Sequence, residues 1–271
     1  MHRTNGRKVR PPVRLSVEWR LRTDQAETFP DKSQRLHLAH ASGRLRAAFF
    51  ALSLFAPLSG VAAGEPLRDP VVVPHIDSAT VATVERAAQQ SGLRLSVLHA
   101  ALGAYREAAA AGAVKRTVLT VIDYSLPSHV RRLWVFDLGH GTVLASELVA
   151  HGRGSGDDVA SRFSNTTNSY QSSLGAFLTA DRYEGKNGLS LRLQGLDPGL
   201  NDQALSRGIV VHGAWYVSEE MIRKSGRLGR SEGCPALSPS AAPRIIDMIE
   251  GGSVLFAYYP APELQRSLRT Q

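Results

Sequence analysis

The sequence predicts an α+β fold that is mainly β with a few helices. Three observations lead to this prediction. Helical periodicity is concentrated before residue 113, β-rich runs separated by glycine-containing turns follow from residue 117, and helix returns only in two short segments. Residues 64–271 are numerous enough to bury the core of one domain with an accessory element.

The first two predicted helices form a helical hairpin within residues 64–115. One has Ser78 as its N-cap and Gly92 as its stop signal, and the other follows Ser96 and ends near Gly112. Both carry apolar residues at helical spacing, so each has one face to bury. We expect this hairpin to support the fold rather than to carry chemistry.

The β-rich part is predicted to form one domain over residues 116–261, followed by a tail at 262–271. Its strands are expected at residues 117–124, 132–138, 142–150, 189–194, 208–212 and 254–259. Two short helices interrupt them, one capped by Ser218 and one that starts after Ser238 with Pro239 in its first position.

A cleaved signal peptide is predicted at residues 47–63. Arg44 and Arg46 precede a short apolar run, and small residues follow up to an expected cut after Ala63. The apolar run is too short to span a bilayer comfortably. We therefore expect a protein of the periplasm or cell envelope, and the absence of a lipobox cysteine near Gly64 argues against a lipoprotein anchor.

Most of the positive charge of the chain lies in a basic leader at residues 1–46, for which we expect no ordered fold. The leader holds 11 of the 32 basic and 4 of the 24 acidic residues, so it accounts for +7 of the formal net charge of +8. A nucleic-acid partner is not indicated, because a basic patch must lie on the folded domain to bind one. A peripheral association with the cell envelope is left open.

Cys234 is the only cysteine of the chain, and it follows Gly233 in a glycine-marked turn. In an exported protein an unpaired cysteine suggests chemistry, and His212, before Gly213, is a candidate base that could create the thiolate. The amides of Gly233 and Cys234 are candidate donors to an oxyanion. From the residue types alone, a buried inert cysteine with a core histidine is an equal alternative.

Two short segments resemble the HG and S-x-G-C motifs of the L,D-transpeptidases of the bacterial cell wall. They are His212-Gly213 and Ser231-Glu232-Gly233-Cys234. Other blocks occur in the same order, so the chain is similar, over roughly residues 119–260, to the murein L,D-transpeptidase catalytic domain family. These blocks are VIDYS at 121–125, LWVFD at 133–137, SRFSN at 161–165, SSLGAF at 172–177 and FAYYP at 256–260. The resemblance implies a YkuD-like β-sandwich or barrel preceded by the helical hairpin.

The resemblance also implies a cysteine acyltransferase that acts on peptidoglycan stem peptides without a cofactor. Cys234 would attack a tetrapeptide stem, expel the terminal D-alanine and hold a thioacyl intermediate. A second stem would resolve it to a 3-3 cross-link, whereas water would give L,D-carboxypeptidase activity. His212 would act as base and acid, oriented by a backbone carbonyl near Gly213, and Ser231 would stiffen the loop.

Two departures from the family pattern affect the expected site. Glu232 stands where many members carry histidine or another larger residue, and an anion beside a thiol would raise the pKa of that thiol. Pro235-Ala236 occupies a stretch where members use Arg or Asn near the substrate. We therefore expect another cation to meet substrate carboxylates, and Arg162, Arg227 and Arg230 are the candidates by proximity to the motifs, with plain surface charges as the alternative.

The second HG pair, His151-Gly152, is expected to line the cleft, while His212 aligns with the motif and is preferred as the base. No metal is predicted, because the other histidines lack ligand spacing and Asp157-Asp158 does not match a calcium loop. Those histidines are His75, His99, His129 and His140. A catalytically weak wall-binding protein is the competing function, and a papain-like protease lacks its local motif around Cys234.

Overall fold

The computed structural model describes residues 76–270. The predicted leader at 1–46 and the predicted signal peptide at 47–63 lie outside the described residues. Among the helices of residues 76–270, none is long and apolar enough to cross a membrane.

An eight-stranded mixed sheet forms the centre of the fold and nearly closes into a barrel. Its order is β3-β2-β1-β8-β4-β5-β6-β7, and the β1–β8 and β6–β7 pairs are parallel. A bridge between Ala150, just beyond β3, and Ala236 in β7 joins the two edges. The strands are β1 Val118–Asp123, β2 Leu133–Asp137, β3 Thr142–Glu147, β4 Gly175–Gly185, β5 Gly188–Gly195, β6 Val210–Gly213, β7 Ala236–Leu237 and β8 Val254–Tyr258.

The described part of the chain has five helices. They are α1 Ser78–Gln90, α2 Leu95–Ala110, α3 Glu219–Ser225, α4 Ala241–Ile249 and α5 Pro262–Thr270. The N-cap of α1 is Asp77, one residue before the predicted Ser78, because its carboxylate accepts the Thr80 N–H at 2.7 Å. Ser218 caps α3 as predicted, with its hydroxyl accepting from the Met221 N–H.

The predicted helical pair is present, but it shares the core of the sheet. Helix α2 packs against β1, β4 and β8, and its buried face belongs to the same apolar cluster as those strands. Strand β1 is buried along its whole length because α2 and α4 cover it. The two helices are therefore part of the packing of the sheet, which explains why α2 is rich in small and apolar residues on one face.

The structure contains two elements that the sequence analysis did not predict. Strand β4, Gly175–Gly185, is absent from the predicted strands, because its outer half is exposed and charged and so lacks an apolar pattern. The residues predicted as a tail contain α5, which is anchored by the buried Leu264. The β4–β5 hairpin turns at Lys186 and Asn187, and its exposed end extends away from the core.

Replacing Leu98, a fully buried residue of α2, tests whether the helices belong to the core. We expect Leu98→Ala to lower the free energy of unfolding by about 2–5 kcal/mol, since the cavity would open between helix and sheet. Denaturant unfolding measures the change. The exposed Arg106→Ala on the same helix is the control, with an effect below about 0.5 kcal/mol; equal effects of the two substitutions would contradict a shared core.

Candidate active site

The turn that carries Cys234 is held by the Ser231 side chain. The Ser231 hydroxyl donates to the Cys234 carbonyl at 2.6 Å and accepts the Gly233 N–H at 3.1 Å. Gly233 has a φ of +129°, and a Cβ there would lie 2.8 Å from the Gln171 carbonyl, so only glycine fits this position without strain. The predicted role of Ser231 in stiffening the loop thus has a physical basis in two hydrogen bonds.

A second serine fixes the peptide unit between Gly233 and Cys234. The Ser172 hydroxyl donates to the Gly233 carbonyl at 2.9 Å and accepts the Gly152 N–H at 3.0 Å. The carbonyl and the N–H of a trans peptide point in opposite directions, so the Cys234 N–H is directed away from Ser172.

Of the two predicted oxyanion donors, only one is free. The Gly233 N–H is engaged by Ser231, and this part of the prediction is therefore wrong. Among the hydrogen bonds of residues 76–270, the Cys234 N–H has no acceptor. The turn consequently presents one fixed, uncommitted backbone donor next to its thiol.

The Cys234 thiol is partly buried and lies against the segment that leads into β6. Its Sγ accepts the Val210 N–H at 3.5 Å and contacts the Gly208 carbonyl at 3.7 Å. Burial raises the pKa of the Cys234 thiol, while the Val210 N–H and the Arg207 guanidinium act in the opposite direction. The resting group is therefore a thiol rather than a thiolate near neutral pH.

His212 lies at the end of β6, beside the strand that follows the cysteine turn. The parallel register of β6 and β7 pairs His212 with Ala236, two residues after Cys234. Its Nδ1 contacts the Gly213 carbonyl at 2.9 Å, and a carbonyl only accepts, so Nδ1 carries the proton and Nε2 has a free lone pair. Burial lowers the pKa of His212, which keeps the ring neutral and able to accept a proton.

Cys234 and His212 open into one cavity of about 660 Å³. Ser231 and Arg230 also line it, whereas Arg162 and Arg227 do not. Arg162 lies at a separate cavity of about 680 Å³, beside Phe163 and Tyr259. Of the three arginines proposed from the motifs, only Arg230 is therefore placed at the cleft.

Two cations that the sequence analysis did not single out line the cavity instead. Lys186 comes from the β4–β5 turn and Arg207 from the loop before β6. Neither belongs to a motif of the chain, but Asn187-Gly188 next to Lys186 is a hairpin signal that indicates where the turn falls.

His151 does not line the cleft, and the prediction that it would is wrong. It is fully buried beneath the cysteine turn, where its carbonyl accepts the Ser231 N–H at 3.0 Å. Its Nδ1 lies 2.8 Å from the guanidinium of Arg132, a buried arginine whose other donors go to the Val149 and Leu126 carbonyls. Burial and then the Arg132 charge lower the pKa of His151 to about 4.

Glu232, which departs from the family motif, affects the pKa of the Cys234 thiol less than its position beside the thiol suggests. Its side chain is 68% exposed and its Oε1 lies 3.6 Å from Arg153, which in turn stacks on Tyr170. The Glu232 charge raises the pKa of Cys234 less than burial does. The carboxylate is thus screened by solvent and by a neighbouring cation.

The arrangement can be compared with known proteins. A family model described as the L,D-transpeptidase catalytic domain matches residues 89–258, more than half of the chain. Among curated protein sequences, none matches this chain.

Solved structures that are similar to the chain include three L,D-transpeptidases. The L,D-transpeptidase from Mycobacterium smegmatis is 18% identical, with a TM-score of 0.34 over 53% of this chain and 59% of that one. L,D-transpeptidase 1 from Mycobacterium tuberculosis is 17% identical, with a TM-score of 0.30 over 52% and 61%. The L,D-transpeptidase from Stackebrandtia nassauensis is 18% identical, with a TM-score of 0.33 over 55% and 58%. The chain thus spans about three fifths of the length of these proteins.

Removing the charge of Glu232 tests the cause of the raised thiol pKa. We expect Glu232→Gln to move the pH profile of Cys234 alkylation by iodoacetamide only slightly to lower pH, because burial dominates. Rates are measured by mass spectrometry, and Cys234 is the only thiol of the chain. A midpoint that falls below the ordinary range of a free cysteine would show instead that Glu232 is the dominant cause.

The buried His151 predicts a loss of stability in acid. Its pKa is 6.5 when unfolded and about 4 when folded, so between these values only the unfolded chain binds the proton. Stability should fall as the pH drops from about 6.5 to 4, by on the order of 3 kcal/mol. Thermal melts across this range test it: His151→Asn should flatten the slope, and the exposed His99→Asn should not. An unchanged slope in His151→Asn would refute this assignment.

Proposed function

Because the chain belongs to the L,D-transpeptidase catalytic domain family, we propose that it is a cysteine acyltransferase acting on the stem peptides of peptidoglycan. The observation that carries the proposal is the fixed turn around Cys234, which lines the same cavity as His212 and whose N–H has no acceptor among the described residues. A nucleophile, a base and an oxyanion donor are the parts that acyl transfer needs.

In the first half-reaction, the Nε2 atom of neutral His212 accepts the thiol proton as Sγ of Cys234 attacks the carbonyl carbon that precedes the terminal D-alanine. The Cys234 N–H stabilises the negative charge that develops on the carbonyl oxygen. The carbon–nitrogen bond then breaks, and the His212 imidazolium gives its proton to the departing amine. The products are D-alanine and a thioester on Cys234.

In the second half-reaction, the side-chain amine of another stem attacks the thioester. His212 accepts the proton that this amine loses, a new amide forms, and the Cys234 thiolate leaves and takes the proton back from His212. The product is a 3-3 cross-link. With water as the acceptor the same steps give a trimmed tripeptide, so L,D-carboxypeptidase activity is the alternative outcome of one mechanism.

The alternative of a catalytically weak wall-binding protein rested mainly on Glu232. The exposure of this side chain and its proximity to Arg153 weaken that argument. We also propose that the protein acts in the periplasm or at the cell envelope, because residues 47–63 have the sequence features of a signal peptide.

Incubation with a disaccharide tetrapeptide tests the proposal. We expect the purified protein to release D-alanine and to produce cross-linked dimers, measured by muropeptide chromatography and mass spectrometry. Cys234→Ala should abolish turnover, since no other thiol exists in the chain. Tripeptide without dimers would identify the carboxypeptidase, and untouched tetrapeptide would refute the enzyme.

The role of His212 is tested by His212→Gln, which keeps a polar side chain but removes the base. We expect turnover to fall by about 10²–10⁴-fold, the usual contribution of a general base. His140→Gln is the control, because that histidine lies in an exposed turn away from the cavity. Equal activity of the two variants would assign the base to another group.

A further inference from the structure

The cavity that holds Cys234 contains an excess of positive charge. Arg230 is paired with Asp157 at 2.6 Å, and Glu232 is paired with Arg153 at 3.6 Å. Lys186 and Arg207 also line the cavity, and among the ion pairs of residues 76–270 neither has a carboxylate partner. Two cations are therefore left without a counter-charge beside the thiol.

Arg207 is fixed in place without being neutralised. Its guanidinium donates to the Ser164 carbonyl at 2.6 Å, the Gln171 carbonyl at 2.7 Å and the Ser169 hydroxyl at 3.2 Å. All of these acceptors are uncharged, so they orient the group but leave its full positive charge. The cavity is therefore lined by a positively charged guanidinium whose orientation is fixed.

Lys186 is placed differently, at the exposed end of the β4–β5 hairpin. The described residues provide no hydrogen bond to its ammonium group, which is carried on a long flexible stem. Lys186 nevertheless lines the same cavity as His212 and Cys234, and its charge lowers the pKa of both groups. The ammonium can therefore meet a ligand that reaches the thiol.

We propose that Lys186, supported by the fixed charge of Arg207, forms a carboxylate-binding subsite that selects anionic ligands for the Cys234 thiol. Pro235 and Ala236, which follow the thiol, are uncharged, so Lys186 and Arg207 are, among the described residues, the unpaired cations of the cavity. The identity of the ligand rests on the proposed function, in which the donor stem ends in a carboxylate. The preference for a carboxylate rests on the unpaired charges alone.

Two small alkylating agents test the subsite without any substrate. Iodoacetate carries a carboxylate and iodoacetamide does not, and both react with the single thiol of the chain, so the ratio of their rates cancels any change in thiol pKa. We expect Lys186→Met to lower the iodoacetate/iodoacetamide ratio by about fivefold, the upper range for an exposed ion pair. Salt should lower the wild-type ratio in the same direction.

The controls separate this effect from general electrostatics. Lys224→Met removes an exposed lysine that is paired with Glu220 on α3, and it should leave the ratio unchanged. Lys186→Arg keeps the charge and should retain the ratio. An unchanged ratio in Lys186→Met, or an equal loss in Lys224→Met, would overturn the subsite.

Turnover of the stem peptide distinguishes the two proposals. A protein that does not turn over stems but whose alkylation ratio depends on Lys186 would refute the function and support the subsite. A protein that cross-links stems with a ratio independent of Lys186 would support the function and refute the subsite. In an active protein, Lys186→Met should also reduce the preference for a tetrapeptide acid over its C-terminal amide by about fivefold.

Discussion

The hydrogen bond from the Ser172 hydroxyl to the Gly233 carbonyl is the contact on which the candidate site depends. It sets the plane of the peptide unit that ends in the Cys234 N–H, and the Ser231 hydroxyl fixes the next carbonyl along the chain. Because Ser172 itself accepts the Gly152 N–H, three separate segments are joined through one side chain. The direction of a single backbone donor is thus determined by groups far away in the sequence.

The nearly closed sheet brings those segments together. The bridge between Ala150 and Ala236 joins the edge beyond β3 to β7, which places Gly152 under the cysteine turn. On the other side, the parallel pairing of β6 with β7 sets His212 opposite Ala236. An open sheet would keep the pairing of His212 with Ala236 but would leave Gly152, which donates to Ser172, without a fixed relation to the cysteine turn. Closure of the sheet therefore has a direct chemical consequence.

The sequence was most informative where the signal is local. The turn before Cys234 follows from neighbouring residues, and most strands have an apolar pattern. The orientation of His212 by the Gly213 carbonyl, which the resemblance implied, also lies within two adjacent residues. The outer half of β4 lacks such a pattern, because both of its faces meet solvent. Lys186 and Arg207 line the same cavity only because the hairpin and the loop before β6 pack around the thiol. Their spacing in the sequence therefore does not indicate that they belong to the site. His151 was misplaced for a related reason, since it is buried against Arg132, which lies just before β2 and is distant in the sequence.

Burial also constrains how the proposed reaction can proceed. It raises the pKa of Cys234 and lowers that of His212, so it disfavours both the thiolate and the imidazolium that a separate proton transfer would create. The free-energy cost of forming a buried thiolate is avoided when the proton moves as the sulfur attacks. The negative charge then develops directly on the carbonyl oxygen of the substrate. That oxygen meets the Cys234 N–H, whose direction Ser172 has already fixed. The same burial that makes the resting thiol weakly reactive thus favours a step in which attack and proton transfer coincide.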